Sequence, residues 1–510
     1  MLLSACAGGP TTSGSSPAAS GQLKQGGTLV YGFDQLTEAF DPAVFTTWAG
    51  INSINNMFDT LVYSQDGKNF TPGLATAWNV STDGLTYTFT LRPNVKFHDG
   101  TPFNADAVKF SFDRQIDEKH PYHLPGMTQA ALAFGSVKEV VVSGPLEVKV
   151  ILKAPNAAQL NNLAIFSTGI VSPDAVKKYG NDFGTNPVGT GPFKFERLEK
   201  GQQIVLAANK DYWGDKPYLD RVIIRAIPED SARKAALVTN AIDITSYLDF
   251  KDVADLKANA NISVITEAAN STGYLALNAK NTALANKAVR QAVCTAVNRQ
   301  NIIDVIFSGQ AVKESGWMPP ALFTHDKTVG AKTVYDVEKA KKMLADAGFA
   351  SGVNLKLNVP AASWWPRMAE LVQEDLRKVG ITVAINRLDP SAFGASINAG
   401  EHDMFLSDWT GVVLDPDYFM FSPFHSSSAR AKGRLAYANP AYDKLVEQAL
   451  TKTSPDERQA LYTQAQNLLL DDSPMCFLYY NQFVAAMNKK VHGFELYATR
   501  NLYFNKVWIQ

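Results

Sequence analysis

The chain has the pattern of an α/β protein divided into two or three lobes, on three observations. Strand-like and helix-like segments are mixed along its whole length rather than gathered in blocks. Its 510 residues exceed the size at which one apolar core stops growing. Beyond residue 350 the order strand, helix, strand appears over Leu355 to Val359, Met368 to Val379 and Ile381 to Ile385. That cadence is a βαβ unit and requires a partly parallel sheet.

The other elements follow in order. Thr28 to Phe33 forms an opening strand. Asp83-Gly84 is a turn signal feeding Leu85 to Leu91, where apolar and Thr residues alternate with period two. Lys96 to Gly100 gives a short edge. A helix starts at the polar cap Asn104, with Val108, Phe112 and Ile116 at helical spacing. Val137 to Val142 and Leu146 to Leu152 flank Ser143-Gly144-Pro145, which predicts a hairpin. Pro187-Val188-Gly189-Thr190-Gly191-Pro192 is rigid punctuation before a strand at Phe193. Tyr274 to Asn278 is a short extended run before a helical stretch, and Val337 to Ala347 is helical.

The first residues carry a different signal. Leu3-Ser4-Ala5-Cys6 fits the site at which bacterial lipoprotein processing cuts before a cysteine and acylates it. Ala7 to Gln22 is almost entirely Gly, Ser, Thr, Pro and Ala, too polar and small to bury a core. By coil scaling such a leash holds the folded body about 20–25 Å from a membrane. Residues 1–23 are therefore expected to be a lipidated tether anchored through Cys6. Only Met1 and Leu2 precede the motif, and a working signal needs a basic and a longer apolar segment, so the natural start is expected upstream.

Charge and composition narrow the function. The chain is 46 % hydrophobic and 19 % charged, and its 48 Lys+Arg nearly cancel 49 Asp+Glu, so no global field draws in nucleic acid. No run of about 18 apolar residues occurs in the body. Cys294 and Cys476 sit in apolar settings and are expected to be buried free thiols. The segment His120-Pro121-Tyr122-His123 has usable ligand spacing, but Pro121 intervenes, and neither metal nor cofactor is expected. No nucleophile elbow, His-Glu-x-x-His, phosphate loop or Cys-x-x-Cys is present, and Pro192-Phe193 after Gly189-x-Gly191 spoils a dinucleotide loop. An enzyme is not expected.

Several segments together resemble one family. They are Leu74-Ala75-Thr76-Ala77-Trp78, Tyr87 to Arg92, Val95-Lys96-Phe97-His98-Asp99-Gly100 and the following Thr101 to Ser111. Gly189-Thr190-Gly191-Pro192-Phe193, Asn209-Lys210-Asp211-Tyr212-Trp213-Gly214, Val289 to Val293, Gly400 to Asp403 and Asp415-Pro416-Asp417 continue the series in order. The chain is similar to the family 5 extracellular solute-binding proteins, the dipeptide-, oligopeptide- and nickel-binding group that feeds bacterial ABC importers. The resemblance implies a two-lobed, periplasmic-binding-protein-like clamp of type II. Lobe I would span 24–277 with an inserted subdomain at about 62–185, lobe II 278–480, and 481–510 would return to lobe I. It further implies a monomer outside the cytoplasm that captures an oligopeptide or peptide-like solute by hinge closure and delivers it to permease subunits. A non-peptide solute (an opine, glycoside, oligosaccharide or chelated nickel) and a ligand-sensing role are the alternatives.

The resemblance also implies a site. In peptide-binding members a Trp near the end of a lobe II strand is followed three positions later by an Asp that grips the ligand ammonium. Here Trp409 is followed by Thr410, Gly411 and Val412. Val412 cannot compensate a buried ammonium, which puts recognition of a free peptide N-terminus in question. Asp408 lies on the other side of Trp409 and by alternation need not face the ligand. Arg367 stands where dipeptide binders place a carboxylate-gripping Arg, or is an exposed residue at a helix start. Trp364 and Trp365 follow a strand and line the cleft or pack in the core. On lobe I, Tyr31, Gly32, Phe33 and Asp34 end the first strand, and Trp48 and Trp317 complete the candidate lining.

Overall fold

The computed structural model describes residues 24–44, 47–127, 129–246, 248–314, 316–330 and 334–510. Among them one sheet of 11 strands runs through both halves of the molecule. Two long strands, Ile262–Leu277 and Met475–Asn488, pass from one half to the other as antiparallel neighbours. On one side the sheet continues through Ile244–Thr245, Thr28–Phe33, Arg221–Ala226, Gln203–Ala208 and Phe193–Glu199. On the other it continues through Met404–Thr410, Val353–Pro360 and Ile381–Leu388.

Each half contains parallel strands. Thr28–Phe33 is parallel to Arg221–Ala226 and Ile244–Thr245, and Val353–Pro360 is parallel to both of its neighbours. Parallel pairs need crossover elements that cover the sheet. The helix Trp365–Arg377 is one, and it buries Met368, Ala369, Val372 and Leu376 along one face. The βαβ unit read from the sequence is therefore present, with both strands a few residues longer.

The halves have separate apolar cores. Leu29, Tyr31, Phe33, Leu206 and Ile224 fill the first, and Leu355, Leu357, Met368, Val372 and Leu406 the second. A third cluster, with Phe89, Val108, Phe112 and Val148, lies under a separate four-stranded antiparallel sheet. Its helix Ala105–Ile116 starts where expected, because the Asn104 side chain accepts from the Ala107 N–H at 3.0 Å. Such a cap contributes about 1 kcal/mol. The predicted hairpin is Val137–Gly144 paired with Glu147–Leu152. The short edge expected at Lys96 to Gly100 is only a single bridge, Lys96 to Pro102. Pro102 has no N–H with which to extend it.

Two expectations need correction. The extended run at Tyr274 is the end of a 16-residue crossing strand. Its middle, Glu267 to Asn270, has residues that disfavour strands, and there the pairing slips, with register shifts between Ala268 and Thr272 and between Gly273 and Tyr274. The cysteines are buried but not free, since Cys294 and Cys476 form a disulfide. The helix Lys287–Ala296 packs on the crossing strand Met475–Asn488, which brings the two Cα atoms within 5.0 Å. A separation of 182 residues hides that pairing from a linear reading. Among the described residues no helix is long and apolar enough to cross a membrane. Cys6 lies outside the described residues.

Candidate functional site

A crevice of about 390 Å³ lies between the two halves. Its walls are the C-terminal ends of parallel strands from both sides, the place where α/β sheets bind ligands. Asp34 follows Thr28–Phe33, and Ser246 follows Ile244–Thr245. Facing them are Trp364, after Val353–Pro360, and Asp408 and Thr410 of Met404–Thr410. The crossing strand supplies Asn481 and Phe483, and the C-terminal return supplies Arg500.

Asp408 owes its position to a glycine on the strand between it and its partner. In register, Gly273 lies between Asp408 on one neighbour and Tyr479 on the other. A Cβ on Gly273 would stand 2.1 Å from the Tyr479 ring. Without it the ring lies across the strand, and its hydroxyl donates to Asp408 Oδ1 at 2.8 Å. Burial pushes the Asp408 carboxyl up to about 6, against the opposing pull of hydrogen bonds from Tyr479 and Asn481 and the charge of Arg500. Asp34 is also raised, again by burial first, with Arg233 pulling it down.

Arg500 adopts a left-handed backbone, φ 63°, an uncommon conformation for a residue with a Cβ. Ser363, beside Trp364, does the same at φ 57°. Both line the crevice. The Arg500 guanidinium lies 5.0 Å from the Phe483 ring centroid and 6.0 Å from that of Trp48. At the crevice edge Phe250, which precedes the crossing strand, reaches the second half and packs on Trp364 at 6.3 Å and Phe307 at 5.4 Å. Phe250 thus makes two aromatic contacts across the gap between the halves.

The structure gathers only part of the sequence-derived site. Asp34, Trp364 and Thr410 line the crevice together. Tyr31 and Phe33 are buried behind it, with the Tyr31 hydroxyl hydrogen-bonded to Ser246 and pushed up to about 12 by burial. Trp48 stands behind Arg500. Trp365 begins the helix after Trp364 and packs on the second core. Arg367 is exposed and pairs with Glu370 at 3.1 Å. Trp317 is fully buried, its Nε1 donating to the Phe419 carbonyl at 2.6 Å.

Strand alternation puts Trp409 on the face opposite Asp408, against Tyr418 and Arg430. Gly411 admits the side chain of Asn270, whose Nδ2 would lie 2.4 Å from a Cβ there. That amide donates to the carbonyls of Gly411 and Val413, at 3.1 and 2.8 Å, tying the crossing strand to the segment after Trp409. Val412 is half-buried against apolar residues of the first core and of the four-stranded subdomain. Arg500, Asn481, Ser246 and Phe250 were not signalled by any local motif, although the return of 481–510 to lobe I pointed to their segment.

Two other cavities differ in kind. One of about 210 Å³ is lined by Tyr63, Tyr212, Tyr497 and Tyr503. Of its two acids, Asp59 is engaged by Tyr63, Tyr212, Trp213 and Thr190 at 2.7–3.0 Å, and Glu495 accepts from the Tyr497 hydroxyl. Another, of about 520 Å³, separates the four-stranded subdomain from the second half and includes Asp417 and Arg430. Neither is floored by the crossing strands. His120 Nδ1 accepts from the Tyr122 N–H, and His123 Nδ1 lies 2.9 Å from the Arg114 carbonyl. Among the described residues no cluster of three or more His, Cys, Asp or Glu is arranged to hold a metal.

Residues 69–431 match the family model described as bacterial extracellular solute-binding proteins, family 5. The chain belongs to that family. It is 32 % identical to the dipeptide-binding protein of Escherichia coli (strain K12), over 97 % of this chain and 96 % of that one. The Helicobacter pylori periplasmic binding protein DppA, solved with the peptide STSA, superposes with a TM-score of 0.83 at 31 % identity, over 95 % and 98 % of the two chains. The binding protein AgaA from A. tumefaciens R10, solved with agropinic acid, gives 0.81 at 26 % identity, over 95 % and 99 %. These neighbours establish the two-lobed periplasmic-binding-protein fold. The family and its relatives are solute-binding proteins rather than enzymes, and their setting supports an extracytoplasmic location. A disulfide accords with an oxidising compartment.

Proposed function

We propose that this protein is the substrate-binding component of an ABC importer, capturing an oligopeptide or peptide-like solute in the crevice between its lobes. The observation that carries this reading is the crevice itself. Both lobes line it, charged groups of both signs face it, and the crossing strand Met475–Asn488 forms its floor. A solute held by both walls binds the closed arrangement more tightly than the open one and so shifts the equilibrium toward closure. The slipped pairing around Ala268 to Tyr274 is the natural place for the bend, because regular pairing resists it. The protein then works from the membrane surface through a lipid on Cys6 and passes its solute to permease subunits.

Relatives named for dipeptides and a neighbour solved with a peptide support this choice of solute. A second reading, a non-peptide solute such as an opine, is favoured by Val412 at the position where peptide binders carry their anchoring Asp, and by the agropinic acid neighbour. Mass spectrometry of the solute released on denaturing the purified protein separates them. Short peptides are the expected cargo; a sugar–amino acid conjugate or a glycoside would replace this reading with the second.

A further inference from the structure

We propose that Asp34 and Asp408 form a two-sided receptor for a cationic group on the bound solute, so that the cation draws the lobes together. The inference rests on the reading that the crevice is the solute site. The two carboxylates stand on opposite walls of that crevice, one at the end of the first strand and the other on the strand preceding Trp409. Asp34 Oδ1 is enclosed and has no hydrogen-bond donor among the described residues. Asp408 is met by a neutral donor, the Tyr479 hydroxyl, while the Asn481 amide beside it donates to Ser271. No Lys, Arg or His lies within 4.0 Å of either carboxylate among the ion pairs of the described residues.

Burial of the two carboxyls is only partly offset by the charges of Arg233 and Arg500, and a solute cation in the crevice would relieve more of that cost. The raised carboxyls of both residues express the same tension. Arg233, the other cation of this wall, is directed to Asp230 and to the carbonyls of Ile227 and Pro228. Arg500, in the lining of the same crevice, acts on both carboxylates through its charge. A receptor here would replace, on different residues, the ammonium anchor that Val412 cannot provide.

The test uses the full chain stripped of cargo, with calorimetric titration of tri-alanine, N-acetyl-tri-alanine and 1,5-diaminopentane. Asp34→Asn and Asp408→Asn are isosteric, and a thermal midpoint no lower than that of the parent protein certifies each fold. Binding of at least one cationic probe is expected, weakened tenfold or more by either substitution, with acetylation weakening the tripeptide as much. If free and acetylated tripeptides bind alike, or the Asn variants stay within twofold, the receptor is refuted while the peptide reading survives. If only the diamine binds, and depends on both carboxylates, the receptor stands and the peptide reading falls. Binding of no cationic probe overturns the receptor.

Discussion

Replacing Gly273 by alanine tests whether the crevice floor is built as described. The added Cβ would meet three ring carbons of Tyr479 at 2.1, 2.4 and 2.5 Å. Carbon atoms pack at about 3.5–4.0 Å, so the ring must move by more than about 1 Å. It has nowhere near to go, since Phe307 lies on it at 4.5 Å and its hydroxyl is held by Asp408. Overpacking of this kind costs about 1–3 kcal/mol, and the lost hydrogen bond adds about 0.5–1.5 kcal/mol. The expected loss is then about 2–4 kcal/mol, read as a lower urea midpoint by tryptophan fluorescence. In a Tyr479→Ala background the same substitution should be neutral or stabilising by up to about 1 kcal/mol, because Ala suits a strand better than Gly. The coupling between the two positions is the signature. An equal loss in both backgrounds, or none in the parent protein, refutes the reasoning.

Further outcomes follow from other groups. Reduction and alkylation should label Cys294 and Cys476 only after reductant is added, and Cys476→Ser should cost about 2–4 kcal/mol of stability; labelling of both thiols without reductant would contradict the pairing. Asp415→Ala should cost about 3–5 kcal/mol, because Arg458, which it meets at 2.6 Å, is left buried and unpaired; an unchanged denaturation midpoint would show that Arg458 finds another partner or reaches solvent. Burial, then the neighbouring Asp415, pushes the Asp417 carboxyl up to about 7, against the pull of Arg458. A raised carboxyl favours the folded state below its unfolded value near 4 and loses that benefit as pH rises to 7. Asp417→Asn should therefore gain on the parent protein between pH 4 and 7, and parallel stability curves over that range would refute this. Cys6→Ser should move the protein from the membrane fraction to the soluble fraction of cells; retention in the membrane would exclude the lipid anchor.

Local chemistry made much of the fold legible. Thr28–Phe33, the Asn104 cap and the Val137–Gly144 hairpin follow from alternation, capping and turn residues, all short-range causes. The crossing strand was legible only at Tyr274 because Glu267 to Asn270 break the pattern where the pairing slips. A small part of the crevice could be read in the same way, as strand ends at Asp34 and Trp364. The sequence reading favours Trp409 over Asp408, whereas the structure lines the crevice with Asp408, which is positioned by Gly273 and Tyr479, residues distant in sequence. Arg500 and the Cys294–Cys476 bond likewise arise from contacts between remote segments, which no window of residues contains.

The most direct measurement incubates the stripped protein with a mixture of di- to pentapeptides of known masses, removes unbound solute by rapid filtration, and weighs what is released on denaturation. About one peptide per chain, returned at its original mass, is the expected result. Retention of none, or recovery of fragments heavier by one water in sum than the peptide supplied, would contradict capture without chemistry.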